Sequence, residues 1–335
     1  MATNKKQPTI RDIAKLAGVS YQTVSLVING KPGVSEKTRR EITRLMEEHD
    51  FRPNRAAQML STNRSNTLEV IVVDVDYGGR LADSTKNMAR AAKEAGYSLL
   101  ISESTADRLE AAFESCAARL VDGVILYAPA MHMDDERLIK ATHGIPMVRR
   151  DYVPGSRVAW VGFDQVYAAR LAVEHLLALG HHQIAAIPPT SKLHNGYWRH
   201  ATIRNVLHEH GLTLLASVEG DYSMRSGYTA MQQILATGIA FTGLIVGTDG
   251  MALGALRALH EAKLCIPDDI SVISFDNSEL SLYTEPPLTT IEFEFVKQDE
   301  LTIKYLLEII ADPETEYHHR ILTPNLLVRD STRTL

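Results

Sequence analysis

The stretch TIRDIAKLAGVSYQTVSLVING, residues 9–30, decides how this chain begins. Its first half carries apolar residues at the i, i+3, i+4 and i+7 spacing of one buried helix face: Ile10, Ile13, Ala14 and Ala17. Gly18 ends that helix, and Ser20 is placed to cap a second one. The second helix would turn three apolar residues inward: Val24, Val27 and Ile28. Two helices across a tight glycine turn predict a helix-turn-helix.

Positive charge is concentrated in the same region. Residues 1–64 contain 12 Lys and Arg against 6 Asp and Glu, although the whole chain carries a formal net charge of -6. The rest of the chain is therefore strongly acidic. Cations gathered at one end can neutralise DNA phosphates, whereas an acidic body repels them. This distribution favours a DNA-binding module over the plainer alternative, a solvated basic helical cap.

A third helix and a short hinge follow the first two helices. Ser35 is placed to cap the third helix. That helix would pack three apolar residues inward: Ile42, Leu45 and Met46. Pro53 and Asn54 then precede a helical segment at residues 55–60, which is too short to persist as an isolated helix in water. We expect this segment to order only when something packs on it.

Length and composition set the outer limits. At 335 residues and 45% hydrophobic, the chain can form the small module and a large globular body. No stretch approaches the roughly 20 apolar residues of a membrane span, and no secretory signal follows the first basic residues, so we expect a cytosolic protein. Cys116 and Cys265 lie far apart, which favours free thiols over a disulfide or a metal site. We expect no metal and no cofactor, and surface or loop positions for the histidine pairs His181-His182 and His318-His319.

Beyond the basic module, short apolar runs alternate with amphipathic stretches. The runs, rich in Val and Ile, predict buried strands at 68–75, 97–102, 122–127, 145–150, 183–187, 242–247, 270–275 and 321–328. The amphipathic stretches predict helices at 82–95, 108–120, 165–178, 227–236 and 251–261. This alternation indicates parallel sheets wound on both faces by helices, and the number of strands favours two such lobes. Ligands of such sheets bind beyond the carboxyl ends of the strands.

Motifs along nearly the whole chain resemble those of a known family. In the basic module they are DIAKLAGVSYQTVS, VSEKTR and FRPNRAAQML; in the body they are VDGVIL, EHLLALGHHQIA, GTDGMALGALRAL, PDDISVISFDN and PPLTTI. Over residues 9–332 the chain resembles the LacI/GalR family of bacterial transcriptional regulators. The resemblance implies a homodimer that binds double-stranded DNA at a pseudo-palindromic operator and responds to a small-molecule effector, often a sugar. The same core would suit an inducer, which releases the protein from its operator, and a corepressor, which strengthens operator binding.

The fold expected from these observations has three parts. Residues 1–52 form an all-α helix-turn-helix DNA-binding domain, and residues 53–65 form the hinge helix and linker. Residues 66–335 form an effector-binding and dimerisation core of two doubly wound parallel-sheet α/β lobes, which the resemblance makes periplasmic-binding-protein-like. Lobe 1 would take about 66–163 and 293–322; lobe 2 would take about 164–292 and 323–332. No leucine heptad follows the last predicted strand, so we expect a dimer rather than a tetramer.

The predicted DNA contacts divide into those that read bases and those that hold phosphates. The second helix enters the major groove with Tyr21 and Gln22 at its start, and a glutamine can pair with adenine through both amide groups. Many family members carry a guanine-reading arginine where this chain has Leu26, so the preferred base should shift, with a thymine methyl as one candidate. Other residues are suited to phosphates, which set register without reading sequence: Thr9, Ser20, Thr23, Ser25, Asn29, Ser35 and Thr38.

The resemblance places the short hinge helix in the minor groove. In the family, the hinge helix pairs with that of its dimer mate, and a leucine wedges between base pairs at the operator centre. Leu60 is the matching position. Ala57, one turn earlier, is small enough to let the two hinges approach, and Asn54 and Arg55 begin the helix. The plainer alternative is that Leu60 is only an apolar linker residue.

Acidic residues at strand ends are the first candidate effector contacts. Asp151 and Asp276 directly follow predicted strands, and Asp74 interrupts the first one, where a sheet interior should be apolar. Carboxylates at such positions accept hydrogen bonds from sugar hydroxyls. Asp276 could instead cap the following helix, and for Asp249, which also follows a strand, capping is the favoured interpretation.

Motif matching to the family completes the candidate effector site. It adds Arg199 as a guanidinium donor and Tyr222 and Phe295 as aromatic contacts. Thr248 stands where a well-known member of the family has an asparagine, which removes one amide from the site. The identity of the effector therefore cannot be carried over from relatives.

Three other functions compete with this interpretation. A sugar-binding transport protein would have the same kind of core, but the basic helix-turn-helix module and the missing signal segment count against this function. A regulator that responds to a nucleoside or purine has the same architecture. An enzyme is disfavoured because no phosphate-binding glycine loop follows any strand and no catalytic set is indicated by spacing.

Overall fold

The computed structural model describes residues 8–28, 30–51, 64–73, 78–129, 134–312 and 318–335. The chain forms two compact units, Met1–Ser65 and Asn66–Leu335. None of the helices in the described ranges combines the length and hydrophobicity that crossing a bilayer requires.

The described part of the N-terminal unit contains three helices: α1 (Ile10–Leu16), α2 (Tyr21–Ile28) and α3 (Glu36–Glu48). Their apolar faces meet in a small core centred on Ile13, Val24 and Ile42. Each helix begins at a capping hydroxyl: Thr9, Ser20 and Ser35 accept backbone N–H bonds from Asp12, Thr23 and Thr38, respectively. The helices and the two caps predicted from the sequence, at Ser20 and Ser35, are therefore present.

The second unit alternates strands and helices. Its strands are β1 (Thr67–Val73), β2 (Ser98–Ser104), β3 (Gly123–Tyr127), β4 (Met147–Arg149), β5 (Val161–Phe163), β6 (Ile184–Ile187), β7 (Ala216–Ser217), β8 (Gly243–Val246), β9 (Ser271–Asp276), β10 (Thr289–Glu292), β11 (Arg320–Leu322) and β12 (Asn325–Leu327). Its α-helices are α4 (Gly78–Glu94), α5 (Leu109–Ala118), α6 (Asp135–Ala141), α7 (Gln165–Ala178), α8 (His194–Glu209), α9 (Met224–Ala236), α10 (Asp249–Glu261) and α11 (Phe295–Ala311).

The described strands form a four-stranded sheet in the first lobe and a six-stranded sheet in the second, with β5 and β11 as a two-stranded pair beside the first. In the first lobe, parallel strands follow the order β2-β1-β3-β4. A bridge from Arg149 to Trp160 adds the parallel pair of β5 and β11 to this sheet. The second sheet has the order β12-β10-β9-β8-β6-β7, and only the pairing of β12 with β10 is antiparallel among its described strands. The structure therefore has the predicted architecture of two wound sheets.

The chain passes between the lobes three times. The crossings lie between β5 and α7, between β10 and α11, and between β11 and β12. The last crossing corrects the sequence interpretation, because the single strand predicted at 321–328 is two short strands in different sheets. Pro324 lies between them and lacks the N–H that a continuous strand would need for its ladder. The three crossings bring the carboxyl ends of β4, β8 and β9 to one region of the core.

His181, one of the histidines predicted to lie at the surface or in a loop, is buried. His181 is 2% exposed, because its ring bonds the Thr242 hydroxyl at 3.0 Å and the Arg333 carbonyl oxygen at 2.9 Å. His181 thus lies in the loop after α7, as one of the two predicted alternatives has it, but not at the surface. Its partners lie 61 and 152 residues away in the chain, so local sequence held no sign of them.

Candidate functional site

The start of α2 presents the side chains expected to read bases. The Tyr21 side chain is 50% exposed, and Gln22 is also exposed. Leu26 is only half-buried. Its Cδ1 lies toward Gly33 in the loop before α3, 3.9 Å from where a Cβ of that residue would stand. Tyr21 and Gln22 therefore protrude from the helix, whereas Leu26 leans against the adjoining loop.

Three of the six hydroxyls expected to hold phosphates, those of Thr9, Ser20 and Ser35, also cap helices. The Ser20 hydroxyl lies 2.9 Å from that of Thr23, and the Ser35 hydroxyl lies 2.8 Å from that of Thr38. Thr9 forms a reciprocal capping box with Asp12. The same arrangement leaves backbone N–H groups at the starts of α2 and α3, where a helix dipole favours a phosphate. Ser25 is half-buried on α2.

Several predicted positions lie outside the described residues. They are Asn29, the hinge residues Asn54, Arg55, Ala57 and Leu60, and the strand-end acid Asp74.

In the core, six predicted effector residues line one cavity of about 80 Å³: Asp151, Arg199, Tyr222, Thr248, Asp276 and Phe295. They come from elements of both sheets and from α8, α10 and α11, or from the loops beside them. A polar, partly aromatic cavity at the carboxyl ends of strands is the expected form of a small-molecule site in this architecture.

Arg199 is held firmly inside this cavity. The residue is 3% exposed and lies on α8. Its Nε donates to Gln165 Oε1 at 2.8 Å and its Nη1 donates to the Gly247 carbonyl oxygen at 2.6 Å. The guanidinium carbon lies 4.5 Å from the centroid of the Phe275 ring. These contacts fix the guanidinium before a ligand arrives, which lowers the entropy cost of binding.

Asp151 is the acid most perturbed by its surroundings. Burial raises the pKa of Asp151 to about 7, against the opposing effect of the Arg149 and Arg150 guanidinium groups. Its Oδ2 atom is buried and has no hydrogen-bond partner among the residues that the structure describes. A carboxylate in this state gains from a hydroxyl donor supplied by a ligand.

Asp276 and Tyr222 adopt backbone conformations that are unusual for residues with a side chain. Their φ angles are 113° and 73°. Such conformations cost roughly 1–3 kcal/mol each and are concentrated at functional sites. Asp276 ends β9 and caps no described helix, while the Tyr222 hydroxyl donates to Asn195 Oδ1 at 2.6 Å. Both side chains are thereby turned to the cavity.

Thr248 and Asp249 have structural roles at the start of α10. The Thr248 hydroxyl caps the helix by accepting the Met251 N–H. Asp249 is 1% exposed and accepts hydrogen bonds from three residues: Ser274, Ser278 and Thr290. The favoured interpretation of Asp249 as a helix cap is therefore wrong, because Thr248 caps α10 and the Asp249 carboxylate instead ties together β9, β10 and the loop after β9.

Sequence reasoning missed several cavity residues. The additional polar ones are Arg150, Gln165, Asn195 and Gln298, and the additional aromatic ones are Tyr127, Tyr152, Phe163 and Phe293. Of these residues, only Arg150 could have been found from the sequence. Two arginines at the end of the apolar run IPMVRR are unusual in a buried strand.

Comparisons with known proteins agree with both parts of the chain. Residues 9–54 match the model for bacterial regulatory proteins of the lacI family, and residues 173–332 match that for a periplasmic binding protein-like domain. The lactose operon repressor of Escherichia coli (strain K12) is 32% identical over 329 residues, which cover 98% of this chain and 91% of that protein.

Two solved structures resemble the chain over nearly its whole length. The lac repressor dimer bound to operator and the anti-inducer ONPF has a TM-score of 0.86 at 32% identity, covering 98% of this chain and 100% of that one. The complex of the transcriptional regulator CelR with cellobiose has a TM-score of 0.72 at 27% identity, covering 97% and 99%.

Proposed function

Because this chain belongs to the LacI family of bacterial regulatory proteins, it is a DNA-binding transcriptional regulator under effector control, and we propose that its effector is a neutral sugar. The headpiece would bind a pseudo-palindromic operator as a dimer and repress transcription. The sugar would bind between the lobes of the core, and its role is regulatory rather than catalytic.

The cavity that unites Asp151, Arg199 and Asp276 carries this proposal. Its carboxylates accept hydrogen bonds from hydroxyls and its guanidinium donates to oxygen, which suits a polyhydroxy ligand. The other cavity arginine, Arg150, is already compensated by Asp299 at 2.6 Å. Arg199 therefore shares the cavity with Asp276 and the partly ionised Asp151, and an anionic ligand would add a further negative charge. The aromatic residues give a sugar ring apolar surface.

A thermal-shift screen of the full chain tests the class of effector. The panel contains neutral sugars, the matching uronic acids, sugar phosphates and nucleosides. A ligand at 100 times its dissociation constant should stabilise the core by about 2.7 kcal/mol. We expect this shift from a neutral sugar; a shift from nucleosides alone would favour a purine-type regulator, and a shift from phosphates or uronates alone would contradict the charge argument.

The affinity for the sugar is expected to depend on pH through Asp151. The pKa of this residue is raised to about 7, so its carboxyl is mostly protonated below that pH and mostly ionised above it. The ionised form accepts hydroxyl donors more strongly, so affinity should fall by about tenfold between about pH 8 and pH 6. Calorimetric titration measures this change. The Asp151→Asn variant should bind weakly at both pH values, and an equally steep profile in that variant would assign the titration to another group.

In the headpiece, we propose that Tyr21, Gln22 and Leu26 meet base edges. The residues Thr9, Ser20, Thr23, Ser25, Asn29, Ser35 and Thr38 would hold phosphates, and Asn54, Arg55, Ala57 and Leu60 would form the minor-groove hinge. The exposure of Tyr21 and Gln22 at the start of α2 supports the base contacts. The Leu26 side chain has no hydrogen-bonding atom, so it is limited to an apolar contact, such as one with a thymine methyl.

Replacing Gln22 with alanine should relax the base preference at one position of each half-site. The loss of a bidentate contact costs about 1–3 kcal/mol against the preferred base and little against the others. Anisotropy titrations with operators changed at single positions measure this effect. The Thr43→Ala variant, at an exposed position on α3, is the matched control. A uniform loss at every operator would show that Gln22 contacts the backbone instead.

A further inference from the structure

Two neighbouring cavity residues each carry a buried polar atom without a partner. Arg150 and Asp151 directly follow β4, and both line the cavity. Arg150 Nη2 and Asp151 Oδ2 are buried and make no hydrogen bond in the described structure. Arg150 as a whole is 3% exposed. A buried donor or acceptor without a partner is costly, and a bound ligand would supply the missing hydrogen bonds.

Arg150 is fixed in place on its other side. Its Nε donates to Asp299 Oδ1 at 2.6 Å, and its guanidinium carbon lies 5.1 Å from the centroid of the Tyr127 ring. Asp299 is fully buried and also accepts from the Ser84 hydroxyl at 2.6 Å and the Asn87 amide at 3.2 Å. Asp299 on α11 and Tyr127 on β3 therefore orient the Arg150 guanidinium directly, and α4 holds Asp299 in place. The direction of Nη2 is thus set before a ligand binds.

The charges around Arg150 define what it can bind. Asp299 already compensates the guanidinium, and Asp151 is the next residue in the chain. A carboxylate or phosphate at Nη2 would face both acids as well as the arginine. A neutral oxygen meets no such repulsion and still receives a charge-assisted hydrogen bond.

We propose that Arg150 is a specificity-determining residue of the effector site, and this inference rests on the proposed function. Its Nη2 donates to one oxygen of a neutral sugar, while a neighbouring hydroxyl of the same sugar donates to Asp151 Oδ2. The two protein atoms together select a pair of adjacent hydroxyls. Arg150 is not among the residues that the motif resemblance supplies, so its role rests on the geometry of this cavity alone.

Single-deoxy analogues of the sugar found in the thermal-shift screen test this role. Calorimetric titration of the full chain measures the affinity for the parent sugar and for each analogue. Wild-type protein should lose about tenfold or more in affinity when the hydroxyl facing Arg150 is removed. The Arg150→Met variant should bind the parent sugar correspondingly weakly and should no longer distinguish it from that analogue.

Two further variants separate recognition from folding. Because Arg150→Met leaves Asp299 uncompensated, the double variant Arg150→Met/Asp299→Asn is measured beside it. The Arg157→Met variant, which changes an arginine exposed by 63% in the same lobe, should keep the whole wild-type profile. Operator binding without sugar is measured for every variant as the check that it is folded.

The possible failures are distinguishable. If no neutral sugar binds the wild-type chain, the proposed function falls and the role of Arg150 falls with it. If a sugar binds but the Arg150 variants lose as much affinity as wild type does for every deoxy analogue, the proposed function survives and the role of Arg150 is overturned.

Discussion

Replacing Arg199 with alanine is expected to weaken effector binding by about a hundredfold. Hydrogen bonds to a charged group are worth about 1.5–3 kcal/mol, and this guanidinium is positioned by Gln165, Gly247 and the Phe275 ring before the ligand arrives. The thermal shift caused by the sugar should therefore disappear at concentrations that saturate the wild-type core. Operator affinity without sugar should stay within about twofold, because the change lies in the core.

Two further variants make the Arg199 result interpretable. Arg204→Ala changes an exposed arginine on the same helix and should bind the sugar as wild type does. Arg199→Lys keeps the charge, but its single nitrogen cannot reach Gln165, Gly247 and the ligand at the same time. This variant should therefore recover only part of the affinity. A full thermal shift in Arg199→Ala would place the effector outside this cavity.

The second large effect is expected on stability, at Asp249. Its carboxylate accepts hydrogen bonds from the Ser274 and Thr290 hydroxyls and from both the hydroxyl and the N–H of Ser278. Alanine would leave all four donors without an acceptor in a buried site. The free energy of unfolding of the core should fall by about 3–5 kcal/mol, as when one partner of a buried charged network is removed.

Urea denaturation of the full chain, followed by the fluorescence of Trp160 and Trp198, measures the Asp249→Ala effect. Asp268→Ala is the matched control, because its side chain is 73% exposed and pairs with Arg333 at 3.4 Å. That control should change stability by at most about 1 kcal/mol. Equal effects from the two substitutions would contradict the structural role of Asp249.

The parts of the fold that depend on local patterns could be predicted from the sequence. The helix predicted at 165–178 has those bounds in the structure, and its Asp164 cap and apolar spacing are both local signals. The strand-end rule found Asp151 and Asp276, because the carboxyl ends of parallel strands lie together whatever the connecting loops do. Arg199 and Tyr222 required the family motifs.

The remaining features depend on contacts between distant parts of the chain. Asp299, which compensates Arg150, lies 149 residues away in the sequence, so no local pattern could show that a buried arginine is stable there. The division of the final strand between two sheets depends on how the lobes cross. The lean of Leu26 depends on the conformation of the loop around Gly33. None of these features alters the hydrophobic periodicity from which the elements were predicted.

We expect this chain to bind a specific DNA sequence with an affinity that a sugar in the core changes. Selection of genomic fragments on the full-length protein, followed by anisotropy titration of the enriched site with and without the sugar, tests it most directly. We expect a pseudo-palindromic site, affinity that falls steeply with salt, and a change in affinity of about fivefold or more when the sugar binds. Enrichment of no common sequence, or an affinity that stays the same when the sugar saturates the core, would contradict it.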